Sequence, residues 1–182
     1  GYYFFWGGTV GYKHDGSKWV KASDNEELSG GFSWSNCPFA VGGTSKFNKY
    51  VPATKSSYMA EGFDGDTKII LDLADDAANA NWGGSWRMPT KAEFQALVSK
   101  KRGDFSSGYN FGESDTQQIF LPAAGYGDGT GLGSAGDYGG YWSSSLDNGD
   151  PYDAFYLYFG DGVAGTSYRN RYYGLSVRAL SQ

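Results

Sequence analysis

Cysteine and histidine are almost missing from this chain, with Cys37 and His14 the single copies among 182 residues. One cysteine excludes an internal disulfide, a cysteine-based zinc cluster and paired-thiol chemistry. One histidine excludes a His-rich metal site. A Ser-His-Asp triad would have to use His14, which adjoins Asp15 and Gly16 in a turn sequence. No apolar run approaches the ~20 residues of a membrane-spanning helix; the longest, residues 2–6, has the length of a strand. Charged residues are also scarce, at 19% with a net charge of -5. The basic residues are scattered, and a nucleic-acid binder concentrates them in a patch. The one basic run, Lys100-Lys101-Arg102, is expected at a helix C-terminus, where cations suit the dipole. Nucleic acid is therefore not an expected partner, and no membrane span is expected.

Glycine and aromatics are plentiful instead: 29 Gly, 15 Tyr, 12 Phe and 6 Trp. So many aromatics bury too much apolar surface for a disordered chain, and Gly and Tyr are poor material for a long-helix bundle. The length suits one domain, 1–182, in three parts. Residues 1–65 read as strands and loops, with a β-rich run at 2–6, Trp19-Val20 after a turn, and Trp34 and Cys37 packed under a loop. Free cysteine is usually buried, so Cys37 reads as core. Residues 66–118 read as the helical part. A helix is expected over 71–80, broken by Trp82-Gly83-Gly84-Ser85-Trp86. A second opens at Thr90 and Glu93, the signature of a capping box. Phe94, Leu97 and Val98 follow at helical spacing, with a stop near Gly103.

Residues 119–182 read as a β-region. Strands are expected at 119–124, 141–145 and 154–159, and a last alternating one through Leu175, Val177 and Ala179; a Gly/Asp/Ser loop fills 125–140. From residue 120 to 181 there is no Lys, Glu, Gln, Met, Ile, His or Cys. Tyr, Gly, Asp, Ser and Asn stand in their place, which is the composition of a binding paratope. In the strand at 154–159, alternation puts Phe155, Leu157 and Phe159 on one face, expected in the core, and Tyr156 and Tyr158 on the other, expected toward a partner. The codons give a parallel pattern. Replacing either adenine of an Asn codon yields Tyr, Asp, Ser, Gly, Ala, Phe, Val, Thr or Arg, among others, and never Lys, Glu, Gln, Met or Trp. Ile and His are reachable that way and are nonetheless missing.

Four motifs carry a resemblance: Trp82-Gly83-Gly84-Ser85-Trp86-Arg87-Met88-Pro89-Thr90 with Glu93-Phe94; Phe120-Leu121-Pro122-Ala123-Ala124-Gly125-Tyr126; Gly140-Tyr141-Trp142-Ser143-Ser144-Ser145; and Arg171-Tyr172-Tyr173-Gly174-Leu175-Ser176-Val177-Arg178. In this order they resemble the Fibrobacter succinogenes major paralogous domain family and the variable proteins of diversity-generating retroelements, over about residues 68–180. The resemblance implies an α+β, C-type-lectin-like fold: two helices packed on small twisted antiparallel sheets with long Gly-rich loops. It also implies adenine-directed diversification near the C-terminus of a fixed scaffold. Trp142, Ser143, Ser144, Leu157, Phe159, Gly174, Ser176, Val177 and Arg178 match scaffold positions. Tyr152, Asp153, Tyr156, Tyr158, Asp161, Ser167, Tyr168, Asn170, Tyr172 and Tyr173 fall where the family is Asn-rich or variable, and are the expected ligand-binding residues.

The Glu-Pro-Asn and Trp-Asn-Asp motifs of calcium-dependent lectins are missing, and so is the cysteine pair of the sulfatase-activating enzymes of similar fold. No cofactor is expected; the acidic loops at 64–66 and 147–153 leave a structural Ca²⁺ as the open alternative, without EF-hand spacing. The favoured reading is a non-catalytic binding module outside the cell, on a bacterial surface or a phage virion, facing a protein or glycan on another cell or particle. The alternatives are an assembly module of a surface appendage or phage tail, and a glycan hydrolase with two carboxylates drawn from Asp147, Asp150, Asp153 and Asp161.

Overall fold

The computed structural model describes residues 1–181. In chain order it contains β1 (Tyr12–His14), β2 (Trp19–Lys21), α1 (Ala77–Trp82), β3 (Trp86–Arg87), α2 (Lys91–Val98), β4 (Lys101–Arg102), β5 (Gly108–Ser114), β6 (Gln117–Pro122), β7 (Tyr126–Asp128), β8 (Gly131–Gly133), β9 (Gly139–Leu146), β10 (Asp153–Gly160), β11 (Val163–Asn170) and β12 (Leu180–Ser181). Strands take 39% of the chain and helices 11%, so the architecture is β-dominated. This corrects the α+β, C-type-lectin-like expectation.

The reason lies in the middle of the chain. The helix expected over 71–80 is only a 3-10 turn, Leu73–Asp75, followed by the six residues of α1. Asp76 separates them in an extended conformation. Its Oδ1 accepts from the amides of Ala78 (2.8 Å) and Asn79 (3.0 Å), and its Oδ2 from Met88 (2.8 Å). Helix α2 starts where the sequence places it, with the capping box formed: Glu93 N–H donates to Thr90 Oγ1, and Thr90 N–H to Glu93 Oε2. Glu93 also takes a forked pair of hydrogen bonds from Arg87, at 2.8 and 2.6 Å, which holds its carboxyl down at about 2. But α2 ends at Val98, short of Gly103. Lys101 and Arg102 turn into a strand against β5, and Lys100 and Arg102 pair with Glu113 and Asp115 instead of facing a helix end.

Among the described residues the central sheet is β11-β10-β9, antiparallel throughout. The expected strands at 141–145 and 154–159 are β9 and β10. The run at 2–6 contributes only single bridges, Tyr3 to Tyr12 and Phe4 to Leu175, and the loop at 125–140 holds the β7–β8 hairpin. On one face of the sheet, α2 and β5–β6 bring Phe94, Tyr109, Phe111 and Leu121 onto Leu157 and Phe159. On the other, Phe4, Trp6, Tyr50 and Met88 pack on Trp142, Leu146, Ala154 and Tyr156. A third cluster gathers Tyr3, Phe5, Trp19, Phe32 and Cys37. Cys37 is core, as expected, and burial pushes its thiol up to about 12. Two glycines set the close packing of the central sheet. A Cβ on Gly139 would sit 2.1 Å from the Phe159 ring, and one on Gly165 2.9 Å from the Tyr158 ring.

The N-terminal third is tied to this sheet by Arg171, just beyond β11. Its side chain is fully buried. Nε donates to Pro151 O (2.6 Å), Nη2 to Tyr50 O (2.9 Å) and Nη1 to Lys49 O (3.3 Å). The guanidinium lies 3.9 Å from the Phe47 ring centre and 5.3 Å from that of Trp6. Burial draws its ionisation down to about 10, so it stays charged at neutral pH, with Cys37, Asp66, Asp153 and Tyr50 pulling the other way. Replacing it with Met leaves the carbonyls of Pro151, Tyr50 and Lys49 without these donors. Arg171→Met should cost about 3–5 kcal/mol in denaturant unfolding. Arg171→Lys should recover little, because one ammonium cannot span the three acceptors.

A candidate ligand-binding face

β10 and β11 run side by side with Tyr156 opposite Ser167, Tyr158 opposite Gly165 and Ala154 opposite Arg169. These residues share one face of the sheet. Beyond β11 the chain turns through Tyr172 and Tyr173, and the β7–β8 hairpin brings Tyr126 alongside. The result is a continuous belt of rings. Tyr58 meets Tyr152 at 4.5 Å between centroids, Tyr152 meets Trp34 at 6.0 Å, and Trp34 meets Tyr172 at 4.9 Å. Tyr172 stacks on Tyr173 at 4.6 Å, Tyr173 meets Tyr126 at 5.9 Å, and Tyr126 meets Tyr138 at 6.0 Å. The Tyr138 hydroxyl then donates to the Tyr156 hydroxyl (2.8 Å), and Tyr156 touches Tyr158 at 6.2 Å. Every ring of the belt except Tyr156 is half-buried: one side packs on the scaffold and the other meets solvent.

The expected site residues divide four ways. Tyr152, Tyr158, Ser167, Tyr172 and Tyr173 are in or beside the belt. Tyr156 is not at the surface: it is 6% exposed and belongs to the core beside Trp142. Alternation names its face correctly, but residues distant in sequence cover that face. Phe155 errs in the other direction: it is half-buried, with Lys91 Nζ 3.6 Å above its ring. Tyr168 lies opposite Phe155, on the far side of the sheet from the belt, and is 58% exposed. Asp161 is exposed in the β10–β11 turn.

Asp153 and Asn170 form a pair, Asn170 Nδ2 donating to Asp153 Oδ1 at 2.5 Å. Asp153 is 8% exposed, and burial pushes its carboxyl up to about 6, against the pull of the Asn170 hydrogen bond and Arg171; Asp150 and Asp147 add to the rise. The two other aspartates of this loop are occupied in turns: Asp147 Oδ1 accepts from Gly149 N–H (2.9 Å) and Asp150 Oδ1 from Tyr152 N–H (3.3 Å). Asp66 in the other acidic loop accepts from Tyr50 and Lys68 amides. Among the described residues, no group of three or more His, Cys, Asp or Glu gathers to hold a metal ion. None of the described helices is long and apolar enough to cross a membrane.

The scaffold positions fare as the resemblance implies, except at the end. Trp142, Ser143, Ser144, Leu157, Phe159, Gly174 and Ser176 are buried; Val177 is half-buried and Arg178 exposed. The residues missed from sequence are Trp34, Tyr58, Tyr126, Tyr138 and Arg169. Trp34 and Tyr58 come from the N-terminal third, where no signal tied them to the C-terminal face. Arg169 stands between two expected residues. It is the cation around which the belt closes: its Cζ lies 4.4 Å from the Tyr126 ring centre and 4.6 Å from that of Tyr173, with Tyr156 and Tyr138 at 5.6 and 5.7 Å.

A β-dominated scaffold with a half-buried tyrosine belt across one sheet face is thus the class of domain defined by fold and site. The chain belongs to the Lcl C-terminal domain family, whose model matches residues 8–179. This agrees at family level with the resemblance carried by the four motifs. Comparison with curated proteins and with solved structures gives no match.

The Asp153 carboxyl yields a pH signature. Its ionisation in the folded state is raised above the ordinary 3.8, so the fold favours the protonated form. The associated stability is fully present below pH ~4 and lost as pH rises through about 6. Asp153→Asn should therefore be more stable than the parent by about 2–3 kcal/mol above pH 7, each tenfold change in proton affinity being worth about 1.36 kcal/mol. The difference should vanish toward pH 4, as read from unfolding curves of the two proteins across that range.

Proposed function

We propose that this domain is a non-catalytic, receptor-type binding module displayed outside the cell, on a bacterial surface or a phage particle. The half-buried tyrosine belt carries the reading. Tyrosine presents a large rigid surface with two side-chain torsions and a polar tip, at low entropic cost on binding. Rings fixed on one side by packing and open on the other lose little further freedom when a ligand covers them. The partner is a protein or glycan on another cell or particle. The belt and its neighbours, chiefly Tyr152, Tyr158, Ser167, Tyr172 and Tyr173, are its contact surface. Retroelement-directed diversification accounts for the composition of residues 120–181, because it renews the face and leaves the buried frame alone.

Two outcomes are expected. In binding assays of the immobilised domain against a panel of co-resident bacteria, phage particles and glycans, Tyr158→Ala, Tyr172→Ala and Tyr173→Ala should each weaken capture by about tenfold or more, as central interface aromatics do, with only small losses of stability. Tyr156→Ala should instead unfold the domain by about 3–5 kcal/mol, as a core truncation does. Capture unaffected by all three surface changes would remove the belt from the interface. Second, deep sequencing of this gene in its source population should find codon differences at Tyr152, Tyr158, Ser167, Tyr172 and Tyr173. Trp142, Leu157, Phe159 and Arg171 should stay fixed. An even spread of differences over both groups would rule out directed diversification.

A further inference from the structure

Arg169 is the one cation enclosed by the belt, and it is chemically unfinished. Tyr126 and Tyr173 flank it, with Tyr138 and Tyr156 further out. Such contacts stabilise the charge, but they satisfy no N–H donor in its plane. Its Nη1 is buried and has no hydrogen-bond partner. Nε and Nη2 have none either, and unlike Nη1 they are not buried. Among the described residues no carboxylate forms an ion pair with it; the acidic side chains nearest in sequence, Asp153 and Asp161, are held by Asn170 and exposed in a turn respectively. The contrast with Arg171, two residues on, is sharp: that guanidinium spends all three nitrogens on backbone carbonyls.

A guanidinium held by rings, with an open edge of parallel donors, fits a bidentate oxyanion. A planar carboxylate accepts two N–H bonds from such an edge in fork-to-fork geometry, and these are among the strongest hydrogen bonds in proteins. We infer that the belt recognises its ligand through a carboxylate seated on the Nε/Nη2 edge of Arg169, and that this carboxylate is an acidic side chain of a protein. The inference rests on the binding-face reading above and narrows it. The ring geometry favours protein over an acidic glycan. Neighbouring rings of the belt meet at steep angles, 66° for Trp34–Tyr172, 61° for Tyr126–Tyr173 and 86° for Tyr126–Tyr138. A staggered surface of this kind accepts branched and aromatic side chains around a central anion; it offers no broad coplanar platform for a sugar ring. Tyr172–Tyr173 is the one stacked pair, at 24°. The chain carries a net charge of -5, so a polyanion gains nothing from its overall field and has to find a specific site.

The test uses poly-L-glutamate as probe, polygalacturonate as the acidic-glycan arm and poly-L-glutamine as the neutral one, with the parent domain, Arg169→Gln and Arg169→Lys. Binding is read by calorimetry, and the fold of each protein is checked by its melting temperature. The parent should bind polyglutamate in preference to the other two polymers. Arg169→Gln should lose about tenfold or more of that binding, and Arg169→Lys should recover only part, because an ammonium cannot make the forked pair. A readout without any variant is the Nε–H resonance of Arg169, which should shift when polyglutamate is added to the labelled parent. If the resonance does not move, or if Arg169→Gln binds polyglutamate as well as the parent, the inference is overturned. A preference for polygalacturonate overturns the choice of a protein ligand. None of these failures touches the binding-face reading, which stands or falls on capture by the tyrosine variants.

Discussion

A guanidinium buried without a carboxylate beside it is tolerable only if each of its nitrogens finds an oxygen, and the frame of this domain is arranged to meet that demand at Arg171. Its three nitrogens reach Pro151, Tyr50 and Lys49 carbonyls. Its own backbone adds two more links: Arg171 N–H donates to Tyr152 O (2.8 Å), and Trp6 N–H donates to Arg171 O (3.2 Å). One residue thus joins the N-terminal segment, the loop at 49–50, the β9–β10 connection and the end of β11. These pieces are far apart in sequence, and short strands bury little surface each. A fixed set of donors with fixed directions gives them a common register that apolar contact alone does not specify.

The indoles repeat the device. Trp6 Nε1 donates to Ser143 O and Trp142 Nε1 to Phe4 O, each at 2.9 Å. The two tryptophans exchange bonds with each other's segments across the core, so the N-terminal run and β9 are locked in one relative position. The belt residues inherit that position. Tyr152 and Tyr172 flank Arg171 through its backbone bonds, and both rings rest on Trp34. Changes on the outer side of the belt therefore leave intact the bonds that hold its inner side.

Much of this was legible in the sequence, and the rest was hidden for physical reasons. The capping box at Thr90 and Glu93 was readable because its partners are three residues apart. The alternation of β10 was readable because a strand's period is 2. What alternation cannot tell is whether a face is covered. Tyr156 was expected outside, yet Phe4, Tyr50 and Tyr138, from three other regions of the chain, enclose its face. The helix expected over 71–80 failed because its aspartates have stronger engagements than helical solvation: Asp75 with Lys49 and the Tyr50 hydroxyl, Asp76 with three amides. Composition brought tyrosine to notice by its abundance and passed over Arg169, a single residue whose meaning depends on what surrounds it. Asp153 is expected as a ligand contact because it falls where the family is Asn-rich or variable; its raised carboxyl and its Asn170 bond belong to the frame around Arg171.

Arg169 and Arg171 stand two residues apart at the end of one strand, and hydrogen-bond completeness gives them opposite meanings. Burying a donor without an acceptor costs about 1–3 kcal/mol, so selection for stability alone would replace Arg169 with a residue that leaves nothing unpaired. An unsatisfied charge held still by aromatic rings is a poor feature of a core and a useful feature of a binding surface, because the missing acceptor can be supplied from outside. The Arg171 guanidinium keeps its hydrogen bonds within the chain, and the Arg169 guanidinium two residues before it leaves its own unmade.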